Sequence, residues 1–130
     1  MSLNNPLANA LSNIWNAEKV GKSKCLVKPS SKVIKSVLGI LHEHNYIKGY
    51  KEIETSRGKI IEVELLGRIN KCSAVSPRYP VKIKSYEKFE KRYLIARSMG
   101  ILIVSTPTGI ITHVEAKEKK SGGRLIAYCY

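Results

Sequence analysis

Aspartate is absent from this 130-residue chain: all ten acidic residues are glutamates. That excludes the Asp-rich loops that hold calcium or magnesium through hard oxygen ligands. It also leaves no Asp to orient a histidine beside a nucleophilic serine. Cysteine is scarce as well. Cys25, Cys72 and Cys129 are odd in number and fit no zinc spacing, so reduced thiols in a cytoplasmic core are expected. His42 and His44 lie two apart on a helical stretch, face different ways and suit no shared metal. No apolar run reaches the length of a membrane span, and the first residues lack the cationic and apolar regions of a signal peptide. There is no Walker loop and no dinucleotide fingerprint. Ser105 and His113 invite comparison with a nucleophile and its base, which leaves a small hydrolase as an alternative class. No nucleophile elbow surrounds that serine. Neither a metal, a cofactor nor an enzyme activity is expected.

What the chain has is positive charge. Lys and Arg number 23 against the ten Glu, a net charge of +13. That balance favours a polyanionic partner over mere solubility. The charge is uneven. Residues 1–35 hold six bases and one Glu, and residues 78–97 hold seven bases and two Glu, while residues 43–66 hold four bases and five Glu. The middle segment is poorly suited to face a nucleic acid. The first helix, the loop after it and residues 78–97 are better suited.

Residues of class AVILMFWYC make up 43% of the chain, enough to bury a core. Asn5 and Pro6 open a first helix, with Leu7, Leu11, Ile14 and Trp15 on one face and Gly21 ending it. A short strand follows over 24–28. Pro29 ends it, and Ser30 or Ser31 caps a second helix with Val33, Ile34, Val37, Leu38 and Leu41 as its stripe. Asn45 suits the C-terminal cap of that helix. Residues 46–55 and 60–66 read as a hairpin around 56–59, and Ile61, Val63 and Leu65 share one face. Residues 67–80 form the junction. A strand is expected over 81–84, a helix from Tyr86 towards Met99, then strands from Ile101, Ile110 and Leu125. The expected fold is α/β (α+β). Its two small units are an N-terminal αβαββ unit over 1–66 and a mostly β unit with a short helix over 67–130.

The strongest motif is the turn Ser105-Thr106-Pro107-Thr108-Gly109 between two apolar runs. Short hydroxyls on a rigid turn read groove shape, where a long cation supplies attraction with little shape reading. Pro107 stiffens the turn and Gly109 allows the reversal. From composition alone, an ordinary β-turn fits equally well. Asn9, Ser12, Asn13 and Asn16 give the first helix an amide-rich, uncharged face, fit either for solvent or, with Asn5 at the helix start, for sugar and phosphate. Lys28, Ser30, Ser31 and Lys32 gather at a helix N-terminus, a plain cap or a phosphate contact. Tyr79 and Tyr86 flank a basic segment, as core residues or as stacking platforms. Gly122 and Gly123 permit close approach, and Arg124 beside them adds a cation.

Four collinear stretches also resemble one family. They are 5–17, 31–47, 67–79, and the STPTG turn with Glu115-Ala116 and Gly122-Gly123. Together these look like small-subunit ribosomal protein eight. Gly67-Arg68-Ile69-Asn70-Lys71-Cys72 with Ser76-Pro77-Arg78-Tyr79 is similar to its archaeal and eukaryotic branch. Two departures stand out: Pro107 occupies a position where the family often has Ser, and Trp15 replaces the basic residue of the bacterial pattern. The resemblance implies binding to a helical element in the central domain of small-subunit rRNA, with the STPTG turn touching RNA. It also implies early assembly, neighbouring small-subunit proteins as partners, and a cytoplasmic ribosomal location. A monomer is expected when the protein is free. A free RNA chaperone or messenger-binding regulator is the alternative, since some members of the family bind their own mRNA.

Overall fold

The computed structural model describes residues 6–28, 31–56, 58–75, 79–94 and 100–130. The chain divides into two compact units, Met1–Asn70 and Lys71–Tyr130. Gly67–Asn70 belong with the first unit for a local reason. The Glu18 carboxylate accepts from the Gly67 N–H at 3.2 Å and the Ile69 N–H at 2.9 Å. The Trp15 indole donates to the Asn70 carbonyl at 3.0 Å. A charged acceptor gripping two backbone donors fixes a loop that its composition alone leaves open.

The first unit runs α1 (Pro6–Lys19), β1 (Lys24–Val27), α2 (Lys32–Glu43), β2 (Ile47–Thr55) and β3 (Gly58–Leu65). The strands form one antiparallel sheet in the order β1-β3-β2. Leu7, Leu11 and Ile14 of α1 bury with Ile34, Val37, Leu38 and Leu41 of α2, and Ile61 and Val63 are buried on β3. Period-two alternation explains why Glu62 and Glu64 take the other face. There Glu62 lies 3.7 Å from both Lys24 and Lys51. Glu52, opposite Ile61 in register, shares the face of Ile61 and lies 3.0 Å from Lys35 of α2. Both helix ends follow their sequence signals. Gly21 takes φ +76° while the Lys22 N–H donates to the Ala17 carbonyl at 2.9 Å. Asn45 takes φ +62° while the Tyr46 N–H donates to the Leu41 carbonyl at 2.9 Å, the left-handed cap expected of it.

The second unit runs β4 (Cys72–Ala74), β5 (Pro80–Val81), α3 (Tyr86–Tyr93), β6 (Ile101–Thr106), β7 (Gly109–Thr112), α4 (His113–Glu118) and β8 (Gly123–Cys129). Its antiparallel sheet has the order β4-β8-β6-β7, and β5 also pairs with β8. Leu102 and Val104 of β6, Leu125 and Tyr128 of β8, Tyr86 and Phe89 of α3 and Ala116 of α4 make one core.

Three expectations change here. The strand placed over 81–84 is only Pro80–Val81, because Ile83–Ser85 coil into a 3-10 turn leading to α3. The helix running towards Met99 stops at Tyr93. Leu94 is already extended and buried, and residues 95–99 lie outside the described ones. The third is α4, which the sequence reading missed although its start signal is present. Thr112 caps it, accepting from the Glu115 N–H at 3.3 Å, and Thr-x-x-Glu is a capping-box pattern.

Candidate nucleic-acid interface

β6 and β7 pair Ser105 with Ile110 and Thr106 with Gly109, so Pro107 and Thr108 alone form the tip. Gly109 takes φ +134°, which a side chain would resist. Pro107, Thr108 and Gly109 are exposed, and Ser105 is half-buried.

The threonines divide the work. Thr106 is buried, and its hydroxyl donates to the Gly109 carbonyl at 2.7 Å. The Thr106 and Thr108 oxygens lie 3.0 Å apart. A hydroxyl has one proton, and that of Thr106 is committed to Gly109. Thr108 must then donate to Thr106, which leaves the exposed Thr108 oxygen as an acceptor. The expectation that Thr106 itself reaches outward is corrected: it is buried, and its hydroxyl is taken up inside the turn by Gly109 and Thr108.

Gly123 secures the turn from behind, and Gly122 packs against Val81 of β5. A Cβ on Gly123 would overlap the Ser105 carbonyl oxygen and stand 3.2 Å from the Thr106 Cα. A Cβ on Gly122 would stand 2.7 Å from the Val81 carbonyl oxygen. These glycines act by close packing of β8 against β6 and β5. Arg124, paired in register with Ser105, is exposed beside them.

His113 is not available to Ser105. Its Nδ1 accepts from the Leu102 N–H at 3.0 Å, so the ring proton sits on Nε2, which is 3.3 Å from the Glu90 carboxylate. The Lys117 ammonium binds the same carboxylate oxygen. Glu90 and His113 are buried, and through them α3 is tied to α4 and β6.

Tyr86 is a second correction. It is 1% exposed, and its hydroxyl donates to the Ser121 carbonyl at 2.8 Å. Burial pushes its phenol upward from the ordinary value. An aromatic locked at both ends in the core cannot stack on a base.

In the first unit, Ser12, Asn13 and Asn16 are exposed on α1 and Asn9 is half-buried. Asn13 and Asn16 line a cleft of about 620 Å³ with Lys22, Lys24, Cys25 and Leu26. Folding thus brings the amide face of α1 to Lys22 and to Lys24 of β1. Ser31 caps α2 by accepting from the Ile34 N–H at 3.2 Å. Lys28 and Lys32 are exposed beside that helix start. Asn5 and Ser30 lie outside the described residues.

The model of one family, Ribosomal protein S8, matches residues 5–130. The chain belongs to this family. Members are small-subunit ribosomal proteins that bind rRNA in company with other ribosomal proteins. The family is structural and not enzymatic, and its place is the ribosome in the cytoplasm. The basic charge, the two-unit α+β fold and the hydroxyl-bearing turn agree with that membership.

Proposed function

We propose that this protein grips a helical element in the central domain of small-subunit rRNA and acts early in subunit assembly, as a monomer when free. Cations supply attraction, and the turn at 105–109 supplies fit. The observation that carries this reading is the direction of the hydroxyl chain. Thr108 offers an exposed acceptor on a turn held from inside by Thr106. An acceptor calls for a donor, and the shallow RNA minor groove displays ribose 2′-hydroxyls as well as base edges.

Ser105 and Gly109 belong to the same turn, and Arg124, opposite Ser105 in register, is suited to a neighbouring phosphate. Asn9, Ser12 and Asn13 on α1, and Lys28, Ser31 and Lys32 at α2, act as backbone contacts that position without reading sequence. The departure at Pro107 replaces a hydroxyl by a stiff ring and leaves Thr108 as the hydroxyl at the tip. The stretch Gly67–Cys72 supports the archaeal and eukaryotic type within the family.

The test is binding to a central-domain rRNA fragment across a salt series, against a shuffled duplex. Thr108→Val should weaken the preference for the fragment while leaving the salt slope unchanged. Replacing the contacted strand by DNA should produce the same loss in the wild-type protein, because the 2′-hydroxyl donor is removed. Equal binding of both duplexes by the wild type would defeat the reading.

A further inference from the structure

Five aromatic rings form a continuous row in the second unit. Tyr79 and Phe89 have centroids 5.9 Å apart, Phe89 and Tyr93 6.5 Å, Tyr93 and Tyr128 5.0 Å, and Tyr128 and Tyr130 6.3 Å. Phe89 and Tyr128 belong to the core, while Tyr79, Tyr93 and Tyr130 are half-buried against it. Three cations lie over this row. The Arg92 guanidinium carbon is 5.3 Å from the Tyr79 centroid and 5.4 Å from that of Tyr93. Lys88 stands 6.0 Å from Phe89, and Lys71 5.9 Å from Tyr128.

We propose that this row is a stacking surface for unpaired nucleotides, separate in kind from the groove contact made by the turn. It rests on the reading of the protein as an RNA binder and adds a second class of RNA structure to it. A duplex hides the faces of its bases, whereas a single strand can lay them on tyrosine rings or on a guanidinium plane. Arg92 is exposed and its guanidinium already lies over two rings, so the cation is in place before RNA arrives. The charge selects nucleic acid over a neutral protein surface. Of the two acids nearby, Glu87 lies 3.8 Å from Lys91, and Glu90 is buried beside His113 and paired with Lys117.

The experiment uses the full chain and a central-domain rRNA helix in three forms: blunt, with a short purine overhang containing 2-aminopurine, and with an abasic overhang of equal length. The purine overhang should bind about tenfold more tightly than the abasic one and lose fluorescence on binding, as base–aromatic stacking requires. Arg92→Lys keeps the charge and removes the plane, and Tyr79→Leu removes a ring. Each should abolish most of that gain with blunt-helix affinity unchanged. Arg92 is exposed, so an unchanged melting temperature for its variant separates a lost contact from a lost fold.

Equal binding of purine and abasic overhangs overturns the proposal, as does an Arg92→Lys protein that keeps the full gain. So does a variant that binds every RNA normally but no longer retains a protein of the small subunit, which would assign the row to a protein partner. A wild type that stacks the overhang yet ignores the blunt helix would uphold this inference and defeat the groove reading.

Discussion

Gly123 of β8 lies so close to Ser105 of β6 that a Cβ on the glycine would overlap the serine carbonyl oxygen. The base of the turn is therefore set by backbone packed against backbone. Neither chain can yield without disturbing the pairing of Ser105 with Arg124. Gly123→Ala should destabilise the protein by about 2 kcal/mol, as overpacking of a tight site does. It should also weaken rRNA binding, read by titration of the same fragment. Gly109→Ala meets open space and is strained only by its backbone angle, so it should cost less stability. Equal losses from both changes would refute the packing explanation.

Thr106→Val removes the donor that closes the turn onto the Gly109 carbonyl. We expect about 1 kcal/mol of lost stability, the usual net value of one hydrogen bond. Thr108→Val should cost little stability and most of the RNA preference. Melting curves and binding titrations on both variants separate the internal hydroxyl from the external one.

His113→Phe breaks two buried partnerships at once. The Leu102 N–H loses its acceptor, and the Glu90 carboxylate loses a donor while Lys117 remains. Stability should fall by about 2–4 kcal/mol, because unsatisfied buried groups carry their full desolvation penalty. Denaturant unfolding would measure it. The RNA salt slope at a temperature where the variant is folded should stay unchanged.

The lysines should differ in their effect on salt dependence. Lys51 faces Glu62 across the first sheet at 3.7 Å, whereas Lys28 and Lys32 make no ion pair among the described residues. Lys32→Gln and Lys28→Gln should each lower the slope of log K against log salt by about 0.7–0.9, one phosphate's worth. Lys51→Gln should leave it alone.

Burial raises the Cys25 thiol above its ordinary value, with Lys22 pulling more weakly the other way. A raised value means the folded state holds the proton more tightly. The associated stability is present below the unfolded thiol's pKa and is lost as pH rises through the folded one. Cys25 should thus be alkylated more slowly than a free thiol near pH 8, with its rate midpoint displaced upward. Cys72 and Cys129 are 1% and 0% exposed and should react only after unfolding. Mass spectrometry after iodoacetamide treatment distinguishes the three.

Much of the first unit was legible because its signals are local. Pro6, Gly21, Ser31 and Asn45 mark helix ends through their own backbone chemistry. The alternation of Ile61, Val63 and Leu65 with glutamates set the face of β3. The regional charge and the hydroxyl-rich turn needed no fold to be noticed. Where a side chain points among neighbours distant in sequence was not legible. Tyr86 sits among lysines in sequence yet buries its ring and meets Ser121, 35 residues away.

By itself, then, the sequence determined the element types of the first unit, the excess of cations and a hydroxyl-rich turn. Each depends on spacing and composition within a few residues. Only the tertiary structure decided that Thr106 faces inward while Thr108 faces out, that Gly123 braces the turn, and that five rings fall into one row. Those facts arise when strands and helices far apart in the chain compete for the same buried space, and close packing admits few arrangements.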